Sequence, residues 1–306
     1  MPSKPQIQKG YFRVRRSNRM VDQLPMGMTG LSHCAALGKQ HDHDRYLTAL
    51  LAPADRREDL FALIAFNYEV ARTAEAAHEA ALGHIRLQWW RDVLAGIDTP
   101  DPRTHPVAEA VAGAIVQHGL DRQCIGRLLQ GRAQDLAGDP PVDLAALEDY
   151  ADATSATLAI LSLEVLGART PDTEAVGRDI GIAWALTGLL RAVPFHARQR
   201  RLYLPRDLCE SEKLDIGDLF EMRTSAALGK VAAAIAARAR ERLQRARATG
   251  VKMPAAAWPA LALGVLATRA LVTLERAGCD PFHPDVQKQD PSCAWRLAWA
   301  KLRGRY

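Results

Sequence analysis

The chain has 306 residues and a net charge of +5, with 48% apolar and 25% charged residues, an ordinary balance for a folded protein. Its five cysteines (Cys34, Cys124, Cys209, Cys279, Cys293) are odd in number and widely spaced, with no CxxC, which suits a reducing compartment and argues against a disulfide framework or a zinc site. Basic patches are local and no reading motif accompanies them, so nucleic acid is excluded as a partner of the folded part.

Residues 1–40 hold seven Lys or Arg against Asp22 alone, so this segment carries the chain's positive charge and the remainder is close to neutral. It lacks apolar periodicity and reads as a basic, disordered leader, a start assigned too early, or an Arg-rich transit peptide. The domain proper is expected over 41–306. "HDHD" at 41–44 fits a solvated helix cap better than a metal site, because i, i+2 spacing does not align ligands on a helix face.

From residue 44 onward the apolar residues recur at three- and four-residue spacing. Helices are expected over 58–80, 84–97, 104–118, 121–137, 143–167, 173–193, 226–248, 254–277 and 291–303. Short breaks rich in Gly, Pro, Asp and Thr separate them, and no alternating strand or repeat is present. One all-α domain is the economical reading. No apolar run reaches the ~18 residues of a spanning helix; the nearest, at 254–268, is broken by Pro259 and reads as a buried helix.

Three places carry unusual residues. On the helix at 58–80, Asn67, Glu75 and His78 share a stripe with Leu60 and Ile64. Either Glu75 faces inward and needs a partner or a metal, or a slight rotation puts Ala74 inside and Glu75 at the rim. On the helix at 173–193, Gly181, Ala185, Gly188 and Ala192 form a small-residue stripe, which allows either close helix approach or a ligand cavity. Pro194 then kinks or ends that helix. Around it come Arg191, Arg198, Arg200, Arg201 and Arg206. These cations either complement a helix C-terminus or hold an anion such as phosphate. Trp89 and Trp90 read as core. Ser155 and Thr157 read as back-bonded to their own helix, with ligand contact as the alternative. No Ser–His–Asp order, Gly-rich phosphate loop or dinucleotide fingerprint occurs.

Six segments, in order, resemble the squalene/phytoene synthase family: "FALIAFNYEVARTAE" (61–75), "RLQWW" (86–90), "HPVAEAV" (105–111), "GRAQDL" (131–136), "LEDYADATSATL" (147–158) and "LTGLLRAVPFHARQRRLYLPRDL" (186–208). The resemblance implies a single isoprenoid-synthase-type helical bundle around a central cavity. In active members two helices present Asp residues one turn apart, and Mg²⁺ held there neutralises a diphosphate leaving group. Here the first of those motifs falls on Ala71, Arg72 and Glu75, and the second on Ala192, Phe195 and His196. Glu75 is the weak metal candidate, and Asp135 matches a family acid on another helix. If the protein is active, Glu75 and Asp135 are the catalytic candidates and Mg²⁺ the cofactor; otherwise no cofactor is expected. Substrate-binding positions implied by the match are Asn67, Arg72, Tyr150, Gly188, Arg191, His196, Arg198, Arg201 and Tyr203.

The departures themselves resemble a branch of the family that assists assembly of respiratory complex I (NADH dehydrogenase). That implies a non-catalytic protein whose partners are complex I subunits or assembly proteins, with a prenyl or lipid-like ligand. The basic leader and the Arg-rich end "WRLAWAKLRGRY" at 295–306 suit contact with a membrane surface or an acidic partner. The expected location is cytoplasmic and peripheral on the inner membrane, with the mitochondrial matrix as the alternative. The alternative activity is a head-to-head prenyl transferase of phytoene or squalene synthase type.

Overall fold

A computed structural model describes residues 30–73, 80–97 and 105–306. Among the described residues the regular structure is entirely helical. The first helix, α1 (His33–His41), is capped by the Ser32 hydroxyl, which accepts from the Ala35 N–H. The expected leader boundary at residue 40 therefore falls inside a helix, and Cys34 and Ala35 are buried in the core. Most of the leader, residues 1–29, lies outside the described residues.

Asp42 separates α1 from α2 (His43–Leu50). Its backbone N–H donates to the Gly38 carbonyl and its carboxylate accepts from the Arg45 N–H. The "HDHD" run is thus a junction between two helices, as the cap reading expects.

Pro53 opens α3 (Ala54–Ala71). Leu60, Phe61, Leu63, Ile64, Phe66, Asn67 and Val70 are all buried there, so this helix is covered on most sides. Next come α4 (Ala80–Ala95), α5 (Pro106–His118) and α6 (Arg122–Ala137). Trp90 packs edge-on against Phe66, ring centroids 5.1 Å apart, which places this tryptophan in the core.

The helix expected over 143–167 is continuous but not uniform: α7 (Leu144–Ala151) passes through a π-helical turn (Asp152–Ala156) into α8 (Thr157–Val165). The hydroxyls of Thr154 and Thr157 donate to the carbonyls of Tyr150 and Asp152, at 2.7 and 3.0 Å. Glycines on two neighbouring helices admit this turn. A Cβ at Gly131 would come within 2.9 Å of Ala153 Cβ, and one at Gly181 within 2.4 Å of Ala156 Cα.

The central helix is α9 (Pro171–Arg191), opened by a Thr170–Thr173 capping box. After Ala192 the chain resumes at once as α10 (Val193–Arg198), with Pro194 in its first turn, where a missing N–H costs least. Short helices α11 (Arg206–Ser211) and α12 (Ile216–Phe220) lead to α13 (Ala226–Ala248), which lies along α9. The buried Glu148 accepts from Arg238 and Arg242 of α13, at 2.7 and 2.6 Å. Asp179 of α9 accepts from Arg242 and Arg245, at 3.0 and 2.6 Å. These charges clasp α7, α9 and α13 together.

A 3₁₀ turn (Ala255–Ala257) precedes α14 (Trp258–Leu261) and α15 (Leu263–Arg276); α16 (Pro284–Gln287) and α17 (Cys293–Leu302) complete the chain. The helical stretch Ala255–Arg276 reaches a mean hydropathy of 1.6, long and apolar enough to cross a bilayer, contrary to the expectation from sequence. Pro259 does not interrupt it because it occupies the first turn of α14. Most of its apolar window, 61%, is buried inside the bundle, so it packs as a core helix.

Candidate functional site

Asp135, near the end of α6, is buried and gathers residues from three other places in the chain. The Tyr203 hydroxyl donates to Asp135 Oδ1 at 3.0 Å and the Tyr150 hydroxyl to Oδ2 at 3.2 Å. Arg132, one turn earlier on the same helix, lies 3.4 Å from Oδ2 and donates to the Tyr150 hydroxyl oxygen at 2.7 Å. Its other terminal nitrogen donates to Asn67 Oδ1 on α3 at 3.3 Å. The His196 ring lies 4.4 Å from that of Tyr203. The fold thus brings Asn67, Asp135, Tyr150, His196 and Tyr203 into one cluster.

Local structure explains this convergence. Arg132 and Asp135 are i, i+3 neighbours on one helix face. Tyr150 precedes the π turn, held close by Gly131 and Gly181. Tyr203 reaches the cluster because the chain turns after α10, with Arg200 at φ 54°.

The electrostatics follow from burial. Burial and the facing Asp135 charge raise both Tyr150 and Tyr203 above the usual phenol range, so each keeps its proton and donates it. Burial, aided by the Arg201 charge, pushes His196 down from 6.5 to about 4, so its imidazole is neutral near pH 7. Its buried Nδ1 and the buried Nε of Arg132 have no hydrogen-bond partner.

The donor set does not suit Mg²⁺. That cation takes about six oxygen ligands in an octahedron, several of them waters. Among the described residues of the cluster, Asp135 is the sole carboxylate. Both its oxygens already accept from tyrosine, and a guanidinium stands beside it. Among all described residues no group of three or more His, Cys, Asp or Glu side chains is placed to hold a metal. Glu75, the expected acid of the first motif, and His78 beside it lie outside the described residues.

The other expected binding residues do not join this cluster. Arg191 extends to Asp44 of α2 at 3.3 Å. Arg72 is exposed and lies over the Tyr68 ring, 5.5 Å from its centroid, near Glu69. Arg198 is exposed, Arg200 faces Glu221 and Phe220, and Arg201 borders His196. The expected single anion corner is therefore dispersed. The helix turn at 192–200 fans its cations in different directions, and spacing along the chain could not reveal that.

The small-residue stripe on α9 divides. Gly181 makes the close helix approach, whereas a Cβ on Gly188 would meet nothing within 4 Å. Ser155 accepts a hydrogen bond from Arg45 at 2.9 Å, and that guanidinium also binds Asp42 at 2.8 Å and lies over Trp184. Trp184 and Arg191 line a cleft of about 910 Å³ between α1, α2, α9 and the C-terminal helices. Its walls combine apolar Leu47 and Leu266 with charges of both signs, Arg276 and Lys288 against Asp42, Asp44, Asp285 and Asp290, and Lys288 pairs with Asp285 at 3.0 Å.

Arg132 is the residue that sequence reasoning missed. It stands inside the quoted "GRAQDL", one turn from Asp135. A cation one turn from an acid was the available signal.

A family model described as squalene/phytoene synthase matches residues 39–303. A human protein named "NADH dehydrogenase (ubiquinone) complex I, assembly factor 6" is 30% identical over 279 residues, which cover 90% of this chain and 84% of that protein. Its counterpart from Bos taurus is 29% identical over 282 residues, 92% of this chain and 85% of that protein. Among solved structures, a dehydrosqualene synthase in complex with ligand superposes with a TM-score of 0.74 at 17% identity, covering 88% of this chain and 94% of that one. At that identity the likeness concerns the fold.

Proposed function

The chain belongs to the squalene/phytoene synthase family, and on that premise we propose that it is a non-catalytic member assisting the assembly of respiratory complex I. The observation that carries this reading is the similarity, along nearly the whole length of both chains, to assembly factor 6 proteins. The chemistry of the cluster supports it. Ionising an allylic diphosphate needs concentrated positive charge at the leaving group. Here Asp135, the one acid of the cluster among the described residues, is engaged by two phenols and a guanidinium instead of being free to recruit divalent cations.

The residues of the cluster act as a brace. Arg132 joins α3 to α6 and α7, and Tyr203 ties the chain after α10 to the same carboxylate. A prenyl or lipid-like ligand would occupy the cleft beside Trp184, its chain against the apolar Leu47 and Leu266. The partners are complex I subunits or assembly proteins. The location is peripheral on the membrane that carries complex I, on the cytoplasmic side or, in a mitochondrion, the matrix side.

Deletion of the gene, followed by native gels and NADH:ubiquinone activity of isolated membranes, tests the reading. Loss of assembled complex I, restored by the wild-type chain, is expected. Normal complex I in the deletion strain would overturn it. Purified protein incubated with farnesyl or geranylgeranyl diphosphate and Mg²⁺ is expected to release no pyrophosphate. Release above a Glu75→Ala control would establish the prenyl transferase alternative instead.

A further inference from the structure

The last helix, α17, has two unlike sides. Leu297 and Ala300 are buried, whereas Trp295, Trp299 and Leu302 are 81%, 58% and 82% exposed. The exposed three follow i, i+4, i+7 spacing, so they form one stripe opposite the buried side. Arg296 and Arg303 flank that stripe, and the Arg303 guanidinium lies 4.3 Å from the Trp299 ring centroid.

Beside the stripe a groove of about 790 Å³ opens between α13, α15 and α17. Arg247, Arg269, Arg296, Arg303 and Arg305 line it together with apolar side chains, and no aspartate or glutamate is among its described lining. Asp290 pairs with Arg269 and Arg296, each at 3.3 Å. Arg247 is turned toward the Thr268 hydroxyl and a main-chain oxygen of Tyr306, at 2.6 and 3.0 Å. A surplus of positive charge therefore remains around an apolar floor.

We propose that this face docks on an anionic phospholipid bilayer, with Trp295, Trp299 and Leu302 entering the headgroup–acyl boundary and the groove arginines holding lipid phosphate. The assignment rests on the peripheral location proposed above and names the surface that makes the contact. Tryptophan is favoured at the headgroup level because its ring is apolar and its N–H is not. Interfacial helices combine such residues with cations on their flanks. The stripe projects from a convex helix, a shape that a deformable bilayer interface accepts without a complementary pocket. The charge of the groove complements anionic lipid, and each arginine near such a surface strengthens binding about fivefold.

The test is vesicle flotation of the full chain with phosphatidylcholine alone and with phosphatidylcholine containing about 30% phosphatidylglycerol. The wild type is expected to float with the anionic vesicles and to be released by salt. Because the N-terminal segment is also basic, the decisive comparison keeps it unchanged. A Trp295→Ser, Trp299→Ser double variant, checked for an unaltered melting temperature, is expected to bind roughly tenfold more weakly or worse. Arg303→Gln and Arg305→Gln are each expected to weaken binding about fivefold, whereas Arg223→Gln on a distant loop leaves it unchanged. A wild type that floats with neither vesicle overturns the proposal, as does a tryptophan variant that floats as well as the wild type. Binding to an acidic polypeptide without any vesicle binding would assign the face to a protein partner and overturn it too.

Discussion

Asp135 and Arg132 are a largely buried pair on one helix whose other partners come from α3, α7 and the segment after α10. Removing one member leaves the other charge poorly compensated, which costs about 3 kcal/mol or more at a buried site. Asp135→Leu is therefore expected to lower the denaturation midpoint strongly. The Arg132→Leu, Asp135→Leu double variant is expected to cost less than the sum of the two single changes, because neither charge is then stranded. Chemical denaturation of the four proteins measures this. His196 adds a pH dependence of defined sign. Its folded value of about 4 lies below its ordinary 6.5, so between these limits the unfolded chain binds more protons than the folded one. Stability contributed by neutral His196 is full above about 6.5 and is lost as the pH falls toward 4. Thermal melts of the wild type against His196→Phe should differ in slope across that window and run parallel above it.

At the scale of elements, two glycines on one helix face opposite demands. Gly181 lies against the π turn, where even a methyl group would strike the Ala156 backbone at 2.4 Å. Gly181→Ala must push α9 away from that turn and is expected to destabilise by about 1–3 kcal/mol. Gly188 has nothing within 4 Å of an added Cβ and sits within the same helix. There the substitution removes backbone freedom from the unfolded chain, so Gly188→Ala is expected to stabilise by about 0.5–1 kcal/mol. Melting temperatures of the two variants should therefore move in opposite directions. The stripe of small residues was legible in the sequence; which of its members met another helix was not, because that depends on the path of the π turn. The same limit applied to the arginines around Pro194. Their number could be read directly, but Arg191 reaches Asp44 while Arg200 reaches Glu221, and only the turn geometry separates them.

For the whole molecule, the strongest lesson concerns the apolar stretch Ala255–Arg276. Its hydropathy alone would permit a spanning helix, yet Leu261, Ala262, Ala267 and Leu271 are almost fully enclosed by protein. Membrane-associated protein is accordingly expected to be released by alkaline carbonate, as a peripheral protein is. Retention of the chain in the carbonate pellet would mean that this helix leaves the bundle and enters the bilayer. The exposed residues point the same way: Trp295, Trp299 and Leu302 of α17 remain outside, whereas Leu263, Leu266 and Leu271 of α15 are buried in the core.

The three- and four-residue spacing of apolar residues, with Gly and Pro at the breaks, was enough to establish an all-helical chain and most helix positions, since local backbone preference and one-sided burial are both written along the chain. Family resemblance within "GRAQDL", "LEDYADATSATL" and "RRLYLPRDL" was likewise legible, and it identified Asp135, Tyr150 and Tyr203. Their meeting was decided only by the folded bundle. It is the placement of Arg132 between Asn67, Tyr150 and Asp135 that joins them in one hydrogen-bonded network. Hydrogen bonds and ion pairs reach only about 3 Å and depend on direction, so residues tens of positions apart acquire their chemistry from the packing of helices, which no spacing along a single chain can specify.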